Sequence, residues 1–515
     1  MAFDRLVTPG EHLGVLVEPD GAALPAMIRG AASRETAATP ILDATVGALR
    51  GRLRQRLGLR PPVITTGHQP EFSHAGVFAK TIALEALVRA VGGTGVFLVV
   101  DSDVPKAGHL AVPWADAHEV RRELVSIPGC DPRRALEWQP RAPASAWRGF
   151  FEHVGRALGR SDTLLPAYVS GALAGAADTL DFVELVERGH AAASRALGLD
   201  PVPCLRVSQL ACLPEFRALA AHILLDARRF AMAYNAAQQA YRVRRRERNA
   251  LRPVPPLALE TDRVELPLWA SRGGEVRRRL FAAAQGGQVA LYAGDELMGI
   301  EPVSHLASVV AQDAPWEVER AGWHIRPRAL LLSGLARLLL GDLFIHGVGG
   351  AKYDEMTEEF TQRFFGTDLA PACCVSATLR LPLPWSGVGA ELLAAARRAQ
   401  RDLHFNPQRH LRGLPAELLR RRAELIAESG RLRRQCAADR AARRRVFEGI
   451  RETNAALRRS APQEVAALES RWRELERRCA SDRVALDREY FFALHPRRSM
   501  EELVRRVRAA LGVSV

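Results

Sequence analysis

Three short segments of this sequence put hydrogen-bonding, acidic or cationic side chains where an apolar run gives way to a turn. The first is Thr65-Thr66-Gly67-His68-Gln69-Pro70, followed by His74, Gly76 and Lys80. Free N–H groups at the start of a helix, with the positive end of its dipole, suit a phosphate or carboxylate. Thr66, Gly67, Gln69, His74 and Gly76 would line such a turn, and Lys80 would bring a cation to it. The second is Asp101-Ser102-Asp103, with Lys106 and His109 close behind. Carboxylates at a strand end accept from a ribose hydroxyl, an attacking amine or a metal-bound water. His68, Asp101 and Asp103 are therefore candidate proton acceptors, with the choice among them open. The third is His346-Gly347-Val348-Gly349-Gly350-Ala351-Lys352-Tyr353. Gly347, Gly349 and Gly350 would let a ligand approach the backbone, and Lys352 would add a point charge. The spacing is not that of a Walker A loop. Upstream, Arg326 and Arg328 flank Pro327 and present two guanidinium forks suited to a carboxylate or phosphate. Each segment also has a structural reading, as a glycine turn, an Asx turn or a lysine that snorkels to water.

The lysine count favours the chemical reading. Of 72 basic residues only three are lysines, Lys80, Lys106 and Lys352. A sequence that uses Arg elsewhere keeps Lys where a compact ammonium does what a planar fork does differently. Lys80 is also in line with Leu84 and Leu87 at i+4 and i+7, so it faces the apolar side of its helix.

The elements that would hold these residues follow from apolar periodicity. Val63 to Thr66 and Val96 to Val100 read as strands, with an amphipathic helix from Val77 to Val91 between them, a βαβ unit. Asp342 to Ile345, a glycine turn over His346 to Gly350, and a helix from Lys352 to Phe365 repeat the pattern. The fold expected is α/β, a Rossmann-like (nucleotidyltransferase-like) parallel sheet whose carboxyl edge carries the ligand. Residues 1–385 would form this core, with helical insertions over about 110–300. Helices at Phe182 to Ala196 and Glu215 to Ala240 and short strands at Val264 to Trp269 and Val289 to Tyr292 fall there.

After LPLPW the texture changes to Arg, Glu, Ala and Leu. Leu411, Leu418, Leu425 and Leu432 step by seven, and Val465, Leu468, Trp472, Leu475, Cys479 and Leu486 follow helix spacing beyond Ser460-Ala461-Pro462. An α-helical antiparallel coiled-coil hairpin over 386–515 is expected, with its exposed face a homodimer surface. Residues 401–515 hold 27 Arg and 16 acids, so most of the net +14 lies there. Interleaved Glu and a shortage of aromatics before Trp472, Tyr490, Phe491 and Phe492 weigh against nucleic acid.

Composition, 48% hydrophobic and 25% charged, excludes disordered and collagen-like classes. No apolar run is long enough to span a bilayer, and the opening MAFDRLVTPGEHLG lacks a signal-peptide pattern, so no membrane role is expected and the cytoplasm is the expected compartment. Cys130, Cys204, Cys212, Cys373, Cys374, Cys436 and Cys479 show no metal-ligand spacing. They read as reduced, mostly buried thiols, and no metal is expected.

Taken in order, TTGHQPEFSHAGVFAKTIALEAL, VFLVVDSD, IRPRALL and IHGVGGAKYDEMTEEFTQRFFG, then a helical hairpin, resemble the bacillithiol biosynthesis cysteine-adding enzyme (BshC) family. The likeness covers most of the chain from about residue 60. His68 stands where that family's turn carries Gln, and Asp101-Ser102-Asp103 is shorter than its acidic run, the marks of a divergent member. GHQPEFSHAG also resembles the His-containing turn of nucleotidyltransferase-like proteins, although the HIGH motif itself is absent. The resemblance implies a carbon–nitrogen ligase that joins the carboxyl of cysteine, or a similar amino acid, to the amine of an amino-sugar acceptor such as glucosaminyl-malate. ATP or ADP is the implied nucleotide. Lys80 and Lys352 would neutralise developing charge, and Arg326 and Arg328 would anchor a substrate carboxylate. A nucleotide-binding enzyme with another substrate, and a nucleic-acid-binding protein acting through the Arg-rich hairpin, are the alternatives.

Overall fold

The computed structural model describes residues 6–32, 38–116, 119–175, 178–249, 254–308, 313–434 and 440–513. It is a mixed α/β protein with a mostly parallel six-strand sheet, an antiparallel half-barrel and a C-terminal helical region. In chain order the elements that frame the site are β1 (Gly14–Glu18), α1 (Val46–Arg56), β2 (Val63–His68), α2 (Ala75–Val91), β3 (Thr94–Val99), α3 (Phe182–Ala196) and β4 (Cys204–Arg206). There follow β5 (Val264–Arg272), β6 (Arg278–Gln285), β7 (Gln288–Ala293), β8 (Glu296–Pro302), β9 (Trp323–Pro327), β10 (Leu343–His346), α4 (Val348–Phe365) and β11 (Ala372–Thr378).

The large sheet runs β1-β11-β10-β2-β3-β4. Only the β1–β11 pair is antiparallel, so β2, β3, β4, β10 and β11 all end at one edge. Continuous apolar or β-branched strands suit a sheet covered on both faces, and Val63, Ile64, Val96, Leu98, Leu343 and Ile345 are buried in this way. Register sets the ends level: Thr66 pairs with Phe97, Gly67 with Leu98, and Ile345 with Thr66. Thr65 and Thr66 turn their hydroxyls onto the carbonyls of Leu343 and Ile345 at 3.1 and 2.7 Å, so Thr66 serves the sheet.

Two expectations change. Residues 264–302, read as part of a mainly helical insertion with two short strands, form four strands that with β9 make a separate antiparallel sheet, β8-β7-β6-β5-β9. Gly286 and Gly287, both at positive φ, close the β6–β7 hairpin, and the flanking apolar runs zip from there. The turn expected over His346 to Gly350 is shorter than drawn, because α4 already starts at Val348 with Gly347 as its extended N-cap. Low glycine propensity conceals a helix start that packing enforces.

Contacts divide the chain into two compact units, one of 1–112, 123–381 and 488–515, the other of 113–122 and 382–487. In the second unit, the two long arms expected of a hairpin are instead four helices, α5 (Ala390–Phe405), α6 (Ala416–Arg434), α7 (Arg440–Ser460) and α8 (Pro462–Ala485). α6 packs on α7, where a Cβ on Gly449 would stand 3.3 Å from Leu425, and α5 packs on α8. Of the heptad leucines within α6, only Leu425 is buried; Leu418 and Leu432 are half-buried, too wet for a continuous seam. The break at Ser460-Ala461-Pro462 falls where α7 ends and α8 begins.

Arg488 to Val515, with α9 (Arg497–Ala510), belongs to the first unit. Its Phe491 and Phe492 rings sit 4.9 Å from Tyr168 and 4.3 Å from Phe78, and both are buried, so they are not free to stack on bases. No helix among the described residues is long and apolar enough to cross a membrane. Cys373 and Cys374 are buried in different apolar clusters, which rules out a bridge between neighbours; Cys479 is buried, Cys130 intermediate, Cys204 and Cys212 exposed. Cys436 lies outside the described residues.

At the amino edge of the sheet, Asp342 accepts from the Val63 N–H at 2.7 Å, lies 3.0 Å from Arg54 and also pairs with Arg50. This carboxylate is 1% exposed. Asp342→Ala would strand two guanidinium groups in a dry site, and the expected cost is about 3–5 kcal/mol, read as a lower urea midpoint.

Candidate functional site

The carboxyl edge of the sheet brings the first and third segments side by side. Because Ile345 pairs with Thr66, the end of β2 at Gly67-His68 and the start of α4 at Gly347 lie on neighbouring strands, roughly 5 Å apart by strand spacing. Gly67 is a glycine because a Cβ there would meet the Leu98 carbonyl oxygen at 3.0 Å. Its own carbonyl turns toward α2, where the Lys80 ammonium donates to it at 2.6 Å. Lys80 is 4% exposed, and burial, aided by Lys106, pulls its pKa down to about 8.

His68 follows directly. Burial first, then the Lys80 and Lys106 ammonium groups, hold its imidazole well below the ordinary 6.5, so the ring is neutral at pH 7. Its Nδ1 lies 3.1 Å from the Gln69 carbonyl oxygen and 3.4 Å from Glu71 Oε1. Glu71 in turn accepts from Lys106 at 2.9 Å, which gives the third lysine a place at the rim.

The acidic segment is tied down. Asp101 is 1% exposed and takes the Ser208 N–H at 2.9 Å together with the Ser208 hydroxyl; burial raises its pKa. Asp103 accepts from Gln69 Nε2 and pairs with Arg277, which also donates to the Ser102 carbonyl at 3.0 Å. Both carboxylates therefore hold the loop against its neighbours, whereas His68 keeps an imidazole free of any charged hydrogen-bond donor.

The two arginines meet protein carboxylates. Arg326 grips Glu137 at 2.9–3.2 Å with both partners buried, and Glu137 N–H donates to the Asp101 carbonyl. Arg328 donates to Glu265 at 2.8 Å and lies over the Trp269 ring at 4.3 Å, as Arg277 does at 4.4 Å. Arg328 Nε and Nη2 remain buried without a hydrogen-bond partner.

The two helix starts differ. At α2, His74 is the N-cap: its Nδ1 accepts from Gly76 N–H at 3.0 Å, and burial lowers its pKa to about 4, which keeps the acceptor lone pair. A Cβ on Gly76 would sit 2.6 Å from the Ala377 carbonyl oxygen, and Phe492 N–H donates to Ser73 O over the same end, so this helix start is covered. At α4, among the described residues, no side chain caps the helix and nothing lies within 4 Å of a Cβ built on Gly347 or Gly349. Gly350 is required for a different reason: the His346 ring beneath it leaves 2.9 Å for a Cβ. That ring is held 3.1 Å from Asp354, which pairs with buried Arg337. Lys352 follows one turn later, half-buried.

Beside His68 a cleft opens between α2 and α3, over β3. Its lining includes His68, Gln69, Thr81, Phe97, His190 and Cys204. Compared with protein-family models and with curated proteins, the sequence matches none. Sequence reasoning missed Thr81 and His190, both of which read simply as parts of amphipathic helices. It also gave no sign of Glu71 and Arg277, whose partners are distant in the chain. Among the described residues no group of three or more His, Cys, Asp or Glu is placed to hold a metal.

The low Lys80 pKa has a stability consequence. With a folded value of about 8 against an ordinary 10.5, the folded chain holds fewer protons than the unfolded chain between those values. The contribution is complete above pH 10.5 and is lost as pH falls through about 8. Wild type minus Lys80→Met stability should therefore fall by on the order of 3 kcal/mol from high pH to pH 7, measured by urea unfolding of both proteins. Parallel curves would show that the ammonium is not desolvated.

Proposed function

We propose that this chain is a small-molecule enzyme, a carbon–nitrogen ligase of the bacillithiol-biosynthesis type, working at the carboxyl edge of a Rossmann-like sheet. The observation that carries the reading is the meeting at one strand end of a neutral, half-buried imidazole, His68, and a desolvated ammonium, Lys80, next to an open cleft. A neutral imidazole accepts the proton of an attacking amine, and a preorganised cation stabilises charge that develops beside it. The uncapped start of α4, at Gly347 and Gly349 with Lys352 behind, suits the phosphate or carboxylate that such a reaction requires. ATP or ADP is the nucleotide this arrangement would take.

Asp101 and Asp103 then act as positioning residues, since their oxygens are engaged by Ser208, Gln69 and Arg277. Arg326 and Arg328 orient the loop and the half-barrel, since both guanidinium groups meet protein carboxylates, Glu137 and Glu265. A homodimer through the helical region and a cytoplasmic location complete the reading. Nucleic acid is the less favoured ligand because many Arg of the C-terminal helices are matched by Glu one turn away, as in Arg444–Glu448, Arg473–Glu469 and Arg478–Glu474 at 2.7–3.3 Å. The start of α4 at Gly347 and Gly349, which no described side chain caps, favours as a second reading a nucleotide-binding enzyme with another substrate.

Purified protein incubated with glucosaminyl-malate, cysteine and ATP should yield the condensed product by mass spectrometry. Without product, calorimetry with ATP, ADP and CTP decides whether the second reading stands. In the active system His68→Gln should lower kcat about 10²- to 10⁴-fold. Because the folded His68 pKa lies well below 6.5, the rate should not fall through imidazole protonation between pH 8 and 6.5. An acid limb centred at 6.5 that vanishes in His68→Gln would contradict the assignment.

A further inference from the structure

We propose that Glu71 is a positioning residue for His68: with the Gln69 carbonyl it fixes the imidazole as the Nδ1–H tautomer, so that Nε2 is the nitrogen that takes a proton, and Lys106 holds Glu71 in that place. The proposal rests on the reading above in taking His68 as the base, and its first readout needs no activity.

A neutral imidazole has one N–H, and what the two nitrogens face decides where it sits. Nδ1 lies 3.1 Å from the Gln69 carbonyl oxygen and 3.4 Å from Glu71 Oε1. A carbonyl and a carboxylate only accept, so the proton belongs on Nδ1. Nε2 then carries the lone pair, on a ring that is half-buried and lines the cleft beside α2.

Both acceptors are held in place. The loop that follows β3 grips the segment on either side of Pro70. Asp103 accepts from Gln69 Nε2 and is itself paired with Arg277, which fixes the residue whose carbonyl faces Nδ1. Lys106 donates to Glu71 Oε1 at 2.9 Å, the same oxygen that faces His68. The Glu71 carbonyl accepts from Ser73 N–H at 2.8 Å, and the neighbouring Phe72 ring packs 5.1 Å from Phe491 and 5.6 Å from Phe150. Backbone and side chain of Glu71 are therefore anchored from opposite ends.

Stability alone gives no reason for this pair. Lys106 has 60% of its side chain in water, and exposed Lys–Glu pairs contribute little. Its effect is on charge at the ring. A carboxylate beside an imidazole favours the imidazolium, and Lys106 offsets Glu71 while the site is at rest. After burial, Lys106 is with Lys80 one of the two ammonium groups that hold His68 below 6.5. When Nε2 takes a proton, Glu71 already stands beside the Nδ1–H of the imidazolium. The charged ring is thus stabilised without being charged beforehand.

The test reads the tautomer directly. In the full chain labelled with ¹⁵N-histidine, two-bond proton–nitrogen NMR spectra separate Nδ1–H from Nε2–H imidazoles, and His68→Gln identifies the His68 signals by their loss. Wild type should show the Nδ1–H pattern at neutral pH. Glu71→Leu removes one acceptor and should move the ratio of tautomers about 10-fold toward Nε2–H, the factor expected of one hydrogen bond to a charged group. Lys106→Met should raise the pH at which the His68 signals titrate, and it is the deciding variant if Glu71→Leu does not fold. In the active system Glu71→Leu should lower kcat about 10-fold with KM unchanged, a split that a general loss of structure does not give. An Nε2–H pattern in wild type, an unchanged ratio in folded Glu71→Leu, or a titration unmoved or lowered in Lys106→Met would each overturn the proposal. Condensation together with the Nε2–H pattern would remove this inference and leave the ligase reading. The Nδ1–H pattern without any condensation would do the reverse.

Discussion

A single ammonium organises the ligand edge of the sheet. Lys80 is nearly fully buried, and among the described residues its hydrogen-bonding acceptor is the carbonyl of Gly67. That carbonyl belongs to the last residue but one of β2, a glycine at which a Cβ would stand 3.0 Å from the Leu98 carbonyl oxygen. The close approach sets β2 level with β3, and the next residue, His68, inherits both its position and the field that keeps it neutral. A guanidinium at position 80 would need a larger dry volume and several acceptors where the backbone offers one. The lysine is therefore explained by geometry as well as by chemistry.

The remaining cations are disposed of differently, which is why the net charge says little about partners. Arg50 and Arg54 share Asp342, Arg326 holds Glu137, and Arg337 pairs with Asp354. On α8 and α9 the matches are local, one helical turn apart. Exposed pairs of this kind contribute little to stability. Buried ones fix register, as Asp342 does by joining α1 to the edge of β2.

Much of the parallel sheet was legible because its strands are continuous apolar runs and its turns carry glycine. Strand Val63 to Thr66, the helix through Lys80 and the strand before His346 all fall within two residues of the expected places at one end or the other. The half-barrel was legible in part: Gln285-Gly286-Gly287-Gln288 between apolar runs is a hairpin signal, but alternation along β6 and β7 is blurred by alanine. The docking of Phe491 and Phe492 was not legible, since it joins residues more than 400 apart and depends on Phe72, Phe78 and Tyr168 having a common face. Salt-bridge partners such as Glu137 for Arg326 escape sequence reasoning for the same reason. Fork-bearing arginines look alike whether a substrate or the protein itself fills the fork.

The two helix starts at the ligand edge show how nearly identical local signals diverge through tertiary context. Both follow a strand of the same sheet and both carry glycine. At α2 an imidazole supplies the acceptor that an anion would have supplied, and the returning chain closes over it. That leaves the positive end of its dipole directed at His74, which helps keep the ring unprotonated. At α4, among the described residues, no side chain caps the helix and nothing stands over Gly347 or Gly349. One helix thus directs its dipole at the imidazole that caps it, and the other has no side-chain cap among the described residues. The same strand-to-helix signal ends in a covered helix start at His74 and Gly76 and in one that no described side chain caps at Gly347 and Gly349, and only the packing of distant segments tells them apart.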